Sequence, residues 1–211
     1  MRITNLISCL CLFLLFSCGK KEIKEPLEYT KWLADPENNL VQTRYINGIK
    51  ISVKYLPPEY LAYIECKDKE NVNKLVKDSL VRYYEESKTF VLNIGPDERK
   101  GQPSGDIMMS NISHYQDYKG RNFTMNFEMQ DYISLEIPGA SYAPVLCNLE
   151  NVYGLDKSRN IFVVFADKEK KGKLNVSKEL DFVFDDEIFG TGRSHFVFNK
   201  KDLNDIPHFI F

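Results

Sequence analysis

Leu40-Val41-Gln42-Thr43-Arg44-Tyr45-Ile46-Asn47-Gly48-Ile49-Lys50-Ile51-Ser52-Val53-Lys54-Tyr55-Leu56 is the stretch whose reading decides the fold class. An Asn-Gly pair between two strand-like runs predicts a type I′ turn, because both central residues must take positive φ. After the turn Ile49, Ile51, Val53 and Tyr55 point one way, and Lys50, Ser52 and Lys54 the other. Such alternation belongs to an antiparallel strand with one face in the core and one toward solvent. Pro57-Pro58 breaks the run.

Outward from this hairpin the pattern stays strand-rich. Thr89 to Ile94, Phe123 to Met129, Ile133 to Ile137 before the Pro138-Gly139 turn, and Ile161 to Phe165 all read as strands. Ile161 to Phe165 is apolar at every position, which predicts a central strand covered on both faces. Ala143 to Leu149 is expected to pair back across the Pro138-Gly139 turn, and Leu180 to Phe184 with Phe196 to Phe198 forms a hairpin. Tyr60 to Cys66 suits strand or helix and reads better as strand. Residues 70 to 86 read as a helix with Val72, Leu75, Val76, Leu80, Tyr83 and Tyr84 on one stripe and Asp68 or Asn71 as N-cap. A weaker helix covers Asp106 to Tyr118, and Asp202 to Asp205 makes a short turn or helix. Strand runs exceed helices about four to one, so the expected fold is α+β and β-rich. It is an antiparallel sheet or β-sandwich with one or two covering helices. The apolar end Phe209-Ile210-Phe211 reads as a docked strand.

The first residues carry an address. Arg2 supplies a positive charge, Leu6 to Phe16 is an apolar run of 11 residues, and Ser17 is a small residue before Cys18. That is the pattern of a secretory signal, and the run is well short of the roughly 20 residues that span a bilayer. Leu15-Phe16-Ser17-Cys18 resembles the lipobox of bacterial lipoproteins. By that resemblance residues 1–17 are a signal peptide and the Cys18 thiol is lipidated. The acyl chains, palmitate among them, then hold the chain to the outer membrane, on its periplasmic face or at the cell surface. More than one acyl chain is needed for stable anchoring. Residues 18–28 read as a short tether and 29–211 as a single globular domain.

Cys9 and Cys11 leave with the signal, so of five cysteines only Cys66 and Cys147 stay in the domain with a free thiol. They either pair, as an oxidising compartment allows, or remain two buried thiols. With Arg2 removed, the 28 Lys and Arg fall by one against 30 Asp and Glu, a net charge of about −3. That balance gives no electrostatic case for nucleic acid.

Candidate chemistry is sparse. Asp185, Asp186 and Glu187, with Asp181 nearby, precede Gly190-Thr191-Gly192 and form an acidic loop that Ca²⁺ would suit, though the order is not that of an EF-hand. Gly190-Thr191-Gly192 lacks the lysine and following helix of a phosphate loop. His114, His195 and His208 are far apart and lack the spacing of a zinc site. The polar loop from Gly95 to Gly105 has the length of a recognition loop. Asp78-Ser79-Leu80 resembles an O-glycan acceptor. No cofactor is implied.

Asn47-Gly48-Ile49-Lys50, Ile94-Gly95-Pro96-Asp97-Glu98, Leu149-Glu150-Asn151-Val152-Tyr153-Gly154-Leu155 and Phe182 to Gly192 together resemble an uncharacterised family of Bacteroidetes-type lipoproteins. The resemblance implies the envelope and brings no activity. The expected role is a non-enzymatic, membrane-anchored binding or scaffold module with a protein or glycan partner. The alternatives are an accessory subunit of a secretion or uptake machine, and a hydrolase with dispersed carboxylates.

Overall fold

The structure is a computed structural model that describes residues 21–100, 105–152, 156–167 and 172–211. Residues 1–20, the expected signal peptide and Cys18 among them, lie outside the described residues. The strands are β1 (Glu22–Ile23), β2 (Val41–Ile46), β3 (Ile49–Leu56), β4 (Ser87–Pro96), β5 (Ile133–Ile137), β6 (Ala140–Tyr142), β7 (Leu146–Leu149), β8 (Arg159–Ala166), β9 (Glu179–Asp186), β10 (Gly192–Asn199) and β11 (His208–Phe209). The α-helices are α1 (Pro26–Ala34), α2 (Pro58–Cys66), α3 (Lys74–Glu85), α4 (Tyr115–Phe127), α5 (Lys173–Val176) and α6 (Lys200–Asn204).

The hairpin forms as the sequence predicts. Asn47 and Gly48 take φ of 52° and 80°, and β2 pairs antiparallel with β3 from Ile46 opposite Ile49 outward. Ile49, Ile51, Val53 and Tyr55 are all buried. Two antiparallel sheets result, one ordered β2-β3-β4-β8-β7 and one β10-β9-β5-β6. Their inner faces share one core. Phe90 of β4 stands 5.3 Å, centroid to centroid, from both Phe182 of β9 and Phe198 of β10, and Phe165 of β8 stands 5.9 Å from Phe182. Along one side, side chains of edge strand β2 reach the open edge of β10. Arg44 donates to the His195 carbonyl at 2.9 and 3.1 Å, and Gln42 donates to that of Val197. Edge carbonyls are thereby satisfied by side chains, which blunts further strand addition there.

The fold is α+β and rich in strand, with eleven strands and six α-helices among the described residues. Helix is thus commoner than the expected four-to-one ratio, because two runs read as strand are helical. Residues 60–66 lie in α2, started by Pro58 at the first helical position, where a missing N–H costs nothing. Its buried residues Ala62 and Cys66 are one turn apart. Residues 123–127 lie in α4, not in a strand. Phe123, Met125, Phe127 and Met129 alternate in sequence, yet Met125 and Met129 are buried while Phe123 and Phe127 are exposed. A four-residue repeat satisfies both periods, and here the helical one wins. The expected helix over 106–118 is instead a 3₁₀ turn at Ile107–Met109 followed by α4.

Helix α3 starts at Lys74, one turn later than expected, with the Asn73 side chain accepting from the Val76 N–H at 3.0 Å. None of its residues is fully buried. Of the segment expected to return across the Pro138-Gly139 turn, only Ala140–Tyr142 pairs with β5. Leu146–Leu149 crosses to the other sheet and pairs with β8. β8 is internal, but its Phe162 and Val164 are only half-buried, so its outer face is not fully covered.

The hairpin of β9 and β10 and the docked C-terminal strand are both present. β11 pairs parallel with β1, and Phe209 stacks on Tyr29 at 4.3 Å. That pairing shortens the tether. The Lys21 carbonyl already accepts from the His208 N–H at 2.8 Å, and Ile23 is 2% exposed. Residues 21–28, expected as tether, therefore belong to the folded body.

Candidate functional site

In the acidic loop one of the three carboxylates is committed to the backbone. Asp186 is buried, and its carboxylate accepts from the main-chain N–H groups of Ile188, Phe189 and Thr191 at 2.9 to 3.0 Å and from the Thr191 hydroxyl. Asp185 and Glu187 are exposed, with Arg193 3.9 Å from Asp185. No metal-binding group of three ligands occurs among the described residues. Cys66 on α2 and Cys147 on β7 are free thiols, so the disulfide is absent. Burial pushes the Cys147 thiol up to about 12. Ser79 is exposed on α3. Residues 101–104 of the polar loop and 153–155 of the fourth resembling stretch lie outside the described residues.

The three histidines stay apart in role. His114 caps α4, His208 lies 4.0 Å from Glu59, and His195 Nδ1 is 2.8 Å from Asp181 Oδ2. The His195–Asp181 pair has no nucleophile beside it. Ser134 pairs with Val183, which pairs with His195, so serine and histidine are two strand spacings, about 10 Å, apart. Ser194 faces the opposite side of its strand, buried at 3% exposure.

A different site assembles where the hairpin turn, the start of the polar loop and the start of β8 meet. It is an open basin of about 440 Å³ on the outer face of the five-stranded sheet, bordered by Tyr45, Lys50, Asn93, Arg99 and Ser158. Asn93 lies in its floor, and a row of outward positions on adjacent strands continues from Asn93 across the sheet beside the basin. Ser52 pairs with Asn93 and Asn93 with Asn160, while their sequence neighbours Ile51, Leu92, Ile94 and Ile161 point into the core. Thr43 Oγ1 donates to Ser52 Oγ at 3.2 Å, Asn93 Nδ2 to Asn160 Oδ1 at 2.7 Å, and Asn160 Nδ2 to Glu150 Oε2 at 2.7 Å. The result is a fixed row of hydroxyl, amide and carboxylate groups at strand spacing, about 4.8 Å.

The rim is charged and ordered. Arg99 grips Asp97 through two hydrogen bonds of 2.7 and 2.8 Å and lies over the Tyr45 ring, 3.3 Å from its centroid. Lys157 pairs with Glu98 at 3.0 Å. Lys50 makes no ion pair among the described residues. Asp156 accepts from the main-chain N–H and the hydroxyl of Ser158, and these bonds, the backbone one first, hold its carboxyl below the usual range. A carboxylate so stabilised is a weak base, so the Ser158 hydroxyl is held rather than activated. Gly95 admits Ser158 into the rim, since a Cβ at Gly95 would stand 2.7 Å from Ser158 Cβ.

Sequence reading missed Tyr45, Asn93, Glu150 and Asn160 as a group. The available signal was asparagine inside two strands, a residue depleted there. Two of the four stretches behind the family resemblance, 47–50 and 94–98, nevertheless border this basin.

No protein-family model matches the chain, and no curated protein matches it. Two solved structures are similar in part. A protein of unknown function from Burkholderia pseudomallei is 9% identical over 85% of this chain and 86% of its own, with a TM-score of 0.37. A DUF4426 family protein from Pseudomonas aeruginosa is 12% identical over 76% of this chain and 93% of its own, with a TM-score of 0.33. Likeness at that level carries no functional argument.

Proposed function

We propose that the chain is a lipid-anchored, non-enzymatic binding module of the bacterial outer membrane, held by Cys18, whose basin takes a hydroxyl-rich glycan. The observation that carries the reading is the row Asn93–Asn160–Glu150, which reaches the basin at Asn93, where Lys50 also stands. Amide and carboxylate groups fixed at strand spacing suit the paired hydroxyls of a sugar ring, and the polar groups are pre-ordered by their own hydrogen bonds. In the Ser158–Asp156 pair the carboxylate is a weak base, and the His195–Asp181 pair stands about 10 Å from Ser134, which speaks for binding over hydrolysis.

Binding of soluble bacterial polysaccharides tests it. Asn93→Ala and Glu150→Ala should each weaken retention about tenfold or more, the scale of one lost polar contact of about 1–3 kcal/mol, while leaving the melting temperature within a few degrees. Retention equal to the parent would sink the reading. The anchor has its own test, acyl labelling that Cys18→Ala abolishes.

The accessory-subunit alternative draws support from one feature. Tyr115, Phe123 and Phe127 form an exposed aromatic row on α4, the kind of apolar surface that marks a protein contact. On that reading Phe123→Ser with Phe127→Ser should impair envelope secretion or uptake in cells and leave polysaccharide binding intact. Unimpaired transport removes it.

A further inference from the structure

The geometry points to a membrane-resting face at the end of the molecule opposite the basin, made of α3 and the cleft between α3 and Phe209 to Phe211. Its occupant is the anionic phospholipid surface of the leaflet that holds the anchor. The inference rests on Cys18 lipidation for the tether length. Two residues separate Cys18 from Lys21, the first described residue, a reach of at most about 10 Å. Fixed charges at that end therefore stand within about one Debye length of the headgroups.

Contacts trace the face from the anchor outward. β1 pairs with β11, and Phe211, two residues beyond β11, lies 5.0 Å from the Lys77 ammonium of α3. Lys77 also donates to the Phe211 main-chain oxygen. The cleft there is about 710 Å³. Lys74, Lys77 and Arg82 border it against Glu59 and Asp78, and Val81, Phe209, Ile210 and Phe211 give it an apolar lining. His208 and Glu59 face each other at 4.0 Å. Cations over an apolar floor suit a phosphate-bearing amphiphile.

The outward stripe of α3 agrees. Leu75, two turns before Arg82 on the same side of the helix, is 76% exposed, on a helix that buries no residue fully. Ile210 and Leu27 are exposed near the same end. An interfacial helix carries this arrangement of exposed apolar side chains beside lysine and arginine. The eight residues of β3 separate this end from the Asn-Gly turn, which sets the basin about 27 Å farther out.

The test uses the chain from residue 18 onward with Cys18→Ser, which keeps every described residue but takes no lipid. Flotation with vesicles of phosphatidylethanolamine and phosphatidylglycerol at low salt should carry the protein, and vesicles of phosphatidylcholine should not. Lys74→Glu with Arg82→Glu should lower the bound fraction about tenfold or more, and Leu75→Glu should lower it further, with melting temperatures unchanged. Equal binding to both vesicles, no binding to either, or variants that float like the parent would overturn the proposal. Failure of the anchor reads differently: the full chain would take no acyl label while the Cys18→Ser body still floated with anionic vesicles.

Discussion

Phe90→Ala is expected to cost about 3–5 kcal/mol of folding stability, at the upper end for an aromatic-to-alanine change in a core. The ring is fully buried and touches both sheets. Within its own sheet it meets Tyr55 at 5.5 Å and Phe165 at 5.9 Å, and across the interior it meets Phe182 and Phe198. Truncation removes the apolar area of one ring and four aromatic contacts worth about 0.5–1.5 kcal/mol each, two of them across the space between β4 and the β9–β10 pair. Neighbouring phenylalanines are held by two sheets and cannot collapse far into the gap. Urea unfolding should show the loss as a lower midpoint at constant slope, and the melting temperature should fall roughly 10–15 °C for a chain of this length. Phe90→Leu keeps part of the volume and should cost about 1–2 kcal/mol. A loss below about 1 kcal/mol in the alanine variant would mean that the two sheets do not share one core.

The elements that proved legible are those where one period admits one answer. The β2–β3 turn carries its own signal, because Asn47 and Gly48 tolerate positive φ and few other pairs do. β10 alternates strictly from Arg193 to Asn199, and β5 and β9 alternate but for Ile137 and the buried Val183, against a single core face. The failures are local ambiguities settled by tertiary packing. Phe123 to Met129 fits two periods at once, and what chose the helix was the pocket that takes Met125 and Met129 on the same turn-spaced face. Tyr60 to Cys66 was too short for its period to speak, and the decisive signal was Pro58, which starts a helix as readily as it ends a strand.

The basin was illegible for a different reason. Its residues come from β2, β3 and β4 and the segments after β4 and before β8, and only strand order places Asn93 beside Asn160 of β8. The acidic loop was legible as a cluster but not in its role, since a run of carboxylates does not say which of them turns inward.

Asp186 is the one that turns inward, and its replacement should be nearly as costly as that of Phe90. At 2% exposure its carboxylate accepts four hydrogen bonds, three from main-chain N–H groups and one from a hydroxyl. A carboxylate has about four lone-pair sites, so nothing remains for a cation. The loop it folds carries Gly190 and Gly192 at φ of 71° and presents Phe189, whose ring lies 4.8 Å from the Arg121 guanidinium. Arg121 in turn donates to the carbonyls of Met108 and Ser110 at 3.1 and 2.6 Å. The turn after β9, helix α4 and the segment before α4 are thus tied through one buried acid.

Asp186→Ala strands four donors at once. Each lost partner costs about 1–3 kcal/mol when its donor stays buried, but exposed Gly190 lets part of the turn open to water, so the sum is not reached. About 3 kcal/mol is the expected loss by urea unfolding. Asp186→Asn retains one acceptor oxygen and should lose about 2 kcal/mol. Calcium should leave the melting temperature of the parent and both variants unchanged. A parent stabilised by calcium, with the effect lost in Asp186→Asn, would restore the metal reading and reassign those four hydrogen bonds to a state the cation replaces.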